Sequence, residues 1–118
     1  MLRVSYIELP VKDVAGQRDF YTRAFGWEFT DYGPEYAATT TGDVDIGLNG
    51  STVHAIADIL PLVEVKSDLE GALAKVVAAG GTITLPIFAF PGGRRFHFRD
   101  PAGHELGVCI NEPGTMPH

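Results

Sequence analysis

A single cysteine, Cys109, and four histidines stand in a chain of 118 residues. A lone thiol closes no internal disulfide, and one thiol beside four scattered imidazoles is too poor a set for a structural zinc cage, so stability must come from packing. Positive charge is also scarce. Nine lysines and arginines face 15 acidic residues, a net charge of −6, and the only adjacent basic pair is Arg94-Arg95. A phosphate backbone would be repelled on average, which argues against nucleic acid as a partner. No apolar run approaches the ~20 residues that span a bilayer, and the start, Met1-Leu2-Arg3-Val4-Ser5, leads into a strand pattern instead of a signal-peptide hydrophobic block. The expectation is a soluble, cytoplasmic protein without a membrane partner. What the chain does have is 45% hydrophobic residues against 20% charged, which suits a globular core in one domain covering 1–118.

Periodicity divides that domain into two similar halves. Leu2 to Val11 alternates as a strand, with Val4, Tyr6 and Glu8 on one face and Ile7 and Leu9 on the other, and Pro10 closes it. Asp13 is placed to cap a helix that stops at Gly26, with Val14, Arg18, Tyr21, Phe25, Phe20 and Ala24 tracing its inward face. Strand-like runs follow at Trp27 to Thr30, Tyr36 to Thr41 and Val44 to Leu48, separated by Gly33-Pro34 and Gly42-Asp43. Asn49-Gly50-Ser51-Thr52 reads as a linker. The order then repeats: a strand at Pro61 to Val65, then a helix opened by a Ser67-to-Glu70 capping box. Leu69, Leu73, Val76 and Val77 of that helix point inward, and Gly80-Gly81 stops it. Strands at Thr82 to Phe88, Arg94 to Arg99 and Glu105 to Ile110 complete it, with turns at Pro91-Gly92-Gly93 and Asp100-Pro101-Ala102-Gly103.

Two coincidences set the register of a duplication. Val11-Lys12 recurs as Val65-Lys66, and Gly26 recurs as Gly80, both 54 positions on. In the last strands, Ile46-Gly47-Leu48 answers Leu106-Gly107-Val108. The expectation is an α+β fold of two tandem βαβββ modules, at about 1–49 and about 59–112, against the alternative of two unrelated α+β halves.

Leu9-Pro10-Val11-Lys12-Asp13 opens the first helix, Phe20-Tyr21 and Phe25-Gly26-Trp27 close it, and Ala79-Gly80-Gly81 ends the second. Phe98-Arg99-Asp100-Pro101-Ala102-Gly103-His104 precedes the last strand. In this order and spacing the chain, from Val4 to Ile110, resembles the vicinal oxygen chelate superfamily of glyoxalase I, extradiol dioxygenases and bleomycin and fosfomycin resistance proteins. It is most similar to the short, single-domain glyoxalase-related members. The resemblance implies an open, cup-shaped mixed sheet with the helices outside, often completed by a second subunit. It also implies a divalent metal in metal-dependent members, held from the first and last strands of each module. Carried onto this sequence, those positions are Tyr6, Gly47, Leu60 and Gly107. None is His, Glu or Gln. Leu and Gly offer no donor and a neutral Tyr is a poor one, so no metal or other cofactor is expected at the inherited site. The alternative is a displaced divalent metal on Glu8, His97 and Glu105.

Strand alternation nominates Tyr6 and Glu8, Arg95 and His97, and Glu105 and Cys109 as cup-facing. A strand that only packs would carry Leu or Val there, because buried charge costs several kcal/mol unless paired. In the plain reading Glu8 satisfies Arg95 or His97 at a wet wall or dimer interface. In the sharper one, partial desolvation makes Glu8 a general base, His97 the acid or hydrogen-bond donor, and Arg95 the anchor for an anionic group. His104 reads as an exposed turn residue, His54 and His118 as unaimed, and Cys109 as a filler. Trp27, Tyr32 and Tyr36 read as core before pocket, and Pro91 to Arg95 as a mobile rim loop. Two functions follow from residues and resemblance together. One is a metal-free, homodimeric protein of the bleomycin-resistance kind, binding a small polar or aromatic molecule through Tyr6, Glu8, Arg95, His97 and Glu105. The other is a glyoxalase-like lyase or isomerase using Glu8 and His97.

Overall fold

The structure, a computed structural model, describes residues 2–112; His118 lies outside the described residues. The elements are β1 (Val4–Pro10), α1 (Val14–Phe25), β2 (Phe29–Asp31), β3 (Tyr36–Thr39), β4 (Asp45–Asn49), β5 (Leu60–Val65), α2 (Leu69–Ala78), β6 (Thr82–Phe90), β7 (Gly93–Arg99) and β8 (Glu105–Asn111). This is βαβββ twice. The chain divides into two compact units, one of Ser5–Leu60 and the other of the described residues from Pro61 on together with those before Ser5.

In the first unit the strands lie in the order β2-β3-β4-β1. β1 runs parallel to β4, with Glu8 opposite Gly47 and Leu9 opposite Leu48, and β2, β3 and β4 pair antiparallel. Asp13 caps α1 by accepting a hydrogen bond from the Gly16 N–H at 3.0 Å, and Gly26 ends the helix in the left-handed region at φ 72°. The helix packs on the face that carries Leu9, Ala37 and Leu48, through Val14 and Tyr21. The inward stripe is narrower than the periodicity suggests. Phe20, Ala24 and Phe25 are exposed. Phe20, six residues from Val14, stands about 120° round the helix from it, and Phe25 is the last residue of α1.

The second unit repeats the order as β5-β8-β7-β6. β5 and β8 are parallel, with Leu62 opposite Gly107. Leu62 lies 54 positions from Glu8 and Gly107 lies 60 from Gly47, so the two units share register as well as order. Val65, Leu69, Phe96, Val108 and Ile110 form the core under α2. The α2 cap is Asp68, not Ser67: Asp68 lies at φ 57° and accepts from the Gly71 N–H. Val77 faces outward, half exposed. Pro91-Gly92 forms a tight turn rather than a rim loop, since Gly92 takes φ 92° and Gly93 already belongs to β7. Pro86 falls in β6, the outer strand of this unit, where a missing N–H costs no ladder bond. Among the described residues no helix is long and apolar enough to cross a membrane.

Candidate functional site

Each unit turns one face of its strands toward its helix and carries its polar residues on the other, because successive strand residues alternate faces. In the first unit that second face holds Tyr6 and Glu8 from β1, Tyr36 from β3, and Gly47 and Asn49 from β4. Glu8 is 1% exposed. A carboxylate so buried needs hydrogen bonds to its oxygens, and both have them. The Tyr36 hydroxyl donates to Oε2 at 3.0 Å and Asn49 Nδ2 donates to Oε1 at 2.8 Å. Asn49 is itself fully engaged, donating also to the His54 carbonyl at 2.8 Å and accepting from the Ser51 N–H at 2.8 Å. The Tyr6 and Tyr36 hydroxyls lie 2.5 Å apart. A phenol has one proton, and that of Tyr36 goes to Glu8, so Tyr6 donates to Tyr36. The result is an ordered chain from Tyr6 through Tyr36 to Glu8. Burial foremost, then the charge of Glu8, pushes the Tyr36 hydroxyl well above its ordinary pKa of 10.0, so it stays a neutral donor.

This chain rests on a glycine. A Cβ at Gly47 would stand 2.1 Å from the Tyr36 oxygen and 2.2 Å from the Tyr6 oxygen. Any side chain at position 47 would displace both phenols.

In the second unit the corresponding face brings together Arg95, His97, Glu105 and Cys109. Arg95 is opposite Cys109 and His97 opposite Gly107. Arg95 and His97 are buried, at 6% and 4% exposure. The Arg95 guanidinium lies 5.4 Å from the Phe88 ring centroid and 5.7 Å from that of Phe90, a stacking that suits its planar, weakly hydrated cation. His97 Nδ1 is 3.6 Å from Glu105 Oε2, and the same oxygen accepts from the Thr84 hydroxyl at 2.7 Å. A Cβ at Gly107 would meet Leu62 Cδ2 at 2.4 Å, so this glycine too is covered by its neighbours.

A family model for the glyoxalase/bleomycin resistance protein/dioxygenase superfamily matches residues 3–108. The chain belongs to this superfamily. Among curated relatives it is 27% identical over 139 residues to proteins named putative glyoxylase CFP32 from Mycobacterium tuberculosis and Mycobacterium bovis. The alignment covers 95% of this chain and 51% of theirs, so the chain spans about half the length of the curated relatives it matches. In fold it is similar to a superfamily member from Vibrio splendidus, with a TM-score of 0.69 at 21% identity, covering 95% of this chain and 100% of that one. It is also similar to the Mn(II)-bound glyoxalase of Novosphingobium aromaticivorans, with a TM-score of 0.66 at 22% identity, covering 99% of this chain and 42% of that one.

The donor set of this superfamily member can be tested against a metal. The four positions that the resemblance assigns to ligands are Tyr6, Gly47, Leu60 and Gly107. The two glycines have no room for a Cβ, Leu60 offers no donor, and the Tyr6 proton is committed to Tyr36. These residues do not fit a divalent ion. Among the described residues no group of three or more His, Cys, Asp or Glu is gathered as a ligand set.

Of the residues singled out from the sequence, Tyr6 and Glu8 meet in one unit, and Arg95, His97, Glu105 and Cys109 in the other. His104 lies exposed in its turn. Two members fall outside the candidates that the sequence names: Tyr36, which reads as a core aromatic, and Asn49, which reads as the start of a linker. Trp27 and Tyr32, which also read as core, are 38% and 57% exposed. The repeat itself points to Asn49, since it lies 60 positions before Cys109, the offset that relates Gly47 to Gly107.

Proposed function

We propose that the chain is a small-molecule-binding domain of the bleomycin-resistance kind, working as a homodimer without the divalent metal of its metal-dependent relatives. The residues proposed to contact ligand are Tyr6 and Glu8 in the first unit, and Arg95, His97 and Glu105 in the second. One observation carries the reading: at Gly47 the space that a metal-ligating side chain would need is filled by the Tyr6 and Tyr36 hydroxyls. These are ordered onto a buried carboxylate. A strand needed only for packing would not keep a carboxylate and two phenols in register. Such an array recognises hydroxyl, carbonyl or amide groups, and in the second unit Arg95, stacked on two phenylalanines, suits an anionic or aromatic group.

The reading predicts that protein purified without chelator contains no stoichiometric metal. Metal present in the wild type and lost in both Glu8→Gln and His97→Ala would overturn it in favour of a displaced site. A thermal-shift screen of small metabolites addresses binding directly, because a ligand at 100 times its Kd stabilises by about 2.7 kcal/mol. Dimerisation is checked by light scattering at micromolar concentration, where a monomeric mass would count against it.

A glyoxalase-like lyase or isomerase is the second reading, favoured by the name of the curated relatives. Glu8 would act as base and His97 as acid. Both oxygens of Glu8 already accept hydrogen bonds, and each keeps a second lone pair to which a proton could go. Turnover that is lost in Glu8→Gln would establish it.

A further inference from the structure

The first unit has a cleft of about 630 Å³ that the Glu8 face does not use. Ile7 and Ile46, register partners on β1 and β4, line it together with Val44, Trp27, Glu28 and Asp45. Ile7 alternates with Glu8, so it lies on the α1 side of the strands while Glu8 lies on the other.

Three independent features give this cleft one sign. The first is the end of α1. Gly26, the helix C-cap, lines the cleft, and the carbonyls of a last helical turn carry about half a negative charge. The second is the pair of carboxylates, Glu28 and Asp45. Burial works against the charge of Asp45, but hydrogen bonds from the Thr41 and Gly42 N–H groups and from the Thr41 and Thr39 hydroxyls outweigh it and hold the carboxyl below its ordinary range. The third is Trp27, the one tryptophan of the chain. The residue is 38% exposed and its ring is held in place by Tyr21, with centroids 5.1 Å apart and planes at 21°. Phe25 lies against it at the same centroid distance, and its carbonyl accepts from the Thr22 hydroxyl at 2.8 Å. None of the described lining residues is basic.

We propose that this cleft is a second ligand site, for an organic ammonium ion with an apolar body. The cation would lie against the Trp27 face, which attracts positive charge through its quadrupole, with Glu28 and the helix end beside it. The isoleucines and Val44 would cover the apolar part. Asp45 is the register partner of Tyr6, but its carboxylate is held by Thr39, Thr41 and Gly42 and not by the Tyr6-Tyr36-Glu8 chain, and the site does not depend on the function proposed for that chain.

Trp27 is its own reporter. The purified protein is titrated at low ionic strength with 2-phenylethylammonium, 2-phenylethanol and 3-phenylpropanoate, which present a cation, a neutral group and an anion on a common aryl-alkyl body. The expected result is a saturable change in tryptophan emission with the cation bound most tightly, roughly tenfold ahead of the anion, a margin that narrows as salt screens the charges. Glu28→Gln, at an exposed position, should weaken the cation roughly threefold and leave the alcohol unchanged. Tyr6→Phe, on the opposite face, should change neither. No saturable signal, or an alcohol that binds as tightly as the cation, would overturn the proposal. So would a cation response abolished by Tyr6→Phe, because the ligand would then lie on the Glu8 face.

Discussion

The Tyr36 hydroxyl donates to the Glu8 carboxylate at 3.0 Å, joining two residues 28 positions apart. Because Tyr36 spends its proton on Glu8, the Tyr6 hydroxyl 2.5 Å away must donate to Tyr36. The direction of this chain is therefore fixed by the carboxylate at its inner end, and the three groups behave as one unit.

Gly47→Ala tests that unit at its base. The added methyl would lie 2.1 Å from one phenol oxygen and 2.2 Å from the other, so both side chains must move in a buried strand region. Overpacking of this kind costs about 1–3 kcal/mol, read as a lower urea midpoint at unchanged slope. Any ligand found by thermal shift should bind Gly47→Ala more weakly. A variant as stable as the parent would show that the hydroxyls can part freely.

The raised pKa of Tyr36 makes a second prediction, for alkaline pH. Burial first, then the Glu8 charge, favours the neutral phenol in the folded state over its ordinary value of 10.0. A group whose folded pKa is raised contributes stability in full below the unfolded value and loses it as pH rises above that value. Stability should therefore fall as pH climbs past about 10, and Tyr36→Phe should flatten the fall while lowering stability at neutral pH, since Glu8 then loses the donor to Oε2. Denaturation midpoints from pH 7 to 11 compare the two. Equal slopes would rule out Tyr36 as the titrating group.

Much of this was legible in the chain. Pro10, Asp13 and Gly26 mark the ends of β1 and α1, and the strict alternation of β1 puts Tyr6 and Glu8 on one face. Arg95, His97 and Glu105 were placed together by the same period of two. What periodicity cannot see is where along a stripe burial stops. Phe25 shares a stripe with Val14, yet as the last residue of α1 it is exposed. Nor can composition rank an aromatic or an asparagine: Tyr36 reads as core and Asn49 as linker, and only the buried Glu8 carboxylate, which each of them supplies with a hydrogen bond, gives them their role. The α2 cap was ambiguous for a related reason. Ser67 and Asp68 are both capping types, and only the hydrogen bond from the Gly71 N–H to Asp68 decides between them.

That cap gives a third prediction. Asp68 accepts from the Gly71 N–H at 3.0 Å, so Asp68→Ala should cost about 1 kcal/mol of stability, while Ser67→Ala should cost almost nothing. Asp68→Gly separates the two roles of the residue. It loses the side-chain acceptor but relieves φ 57°, so it should fall between the parent and Asp68→Ala. Thermal or urea midpoints of the three variants check the order, and a Ser67→Ala as damaging as Asp68→Ala would return the cap to Ser67.

Arg95 is the residue whose replacement best separates charge from shape. Its guanidinium lies 5.4 Å and 5.7 Å from the centroids of Phe88 and Phe90, and at 6% exposure it is shielded from the screening that weakens surface cations. Lysine keeps the charge but replaces a planar, weakly hydrated ion with a compact and strongly hydrated one. Arg95→Lys should thus lose the stacking, about 1 kcal/mol for two partly desolvated contacts. Methionine keeps most of the volume and the apolar contact but removes the charge. If Arg95 anchors an anionic group, both variants should lose affinity for acidic ligands, with methionine the worse, while neutral ligands are retained by both. If Arg95 serves packing alone, Arg95→Met should bind every ligand as the parent does. Stability and binding measured on the same two proteins therefore tell a structural arginine from a ligand-binding one.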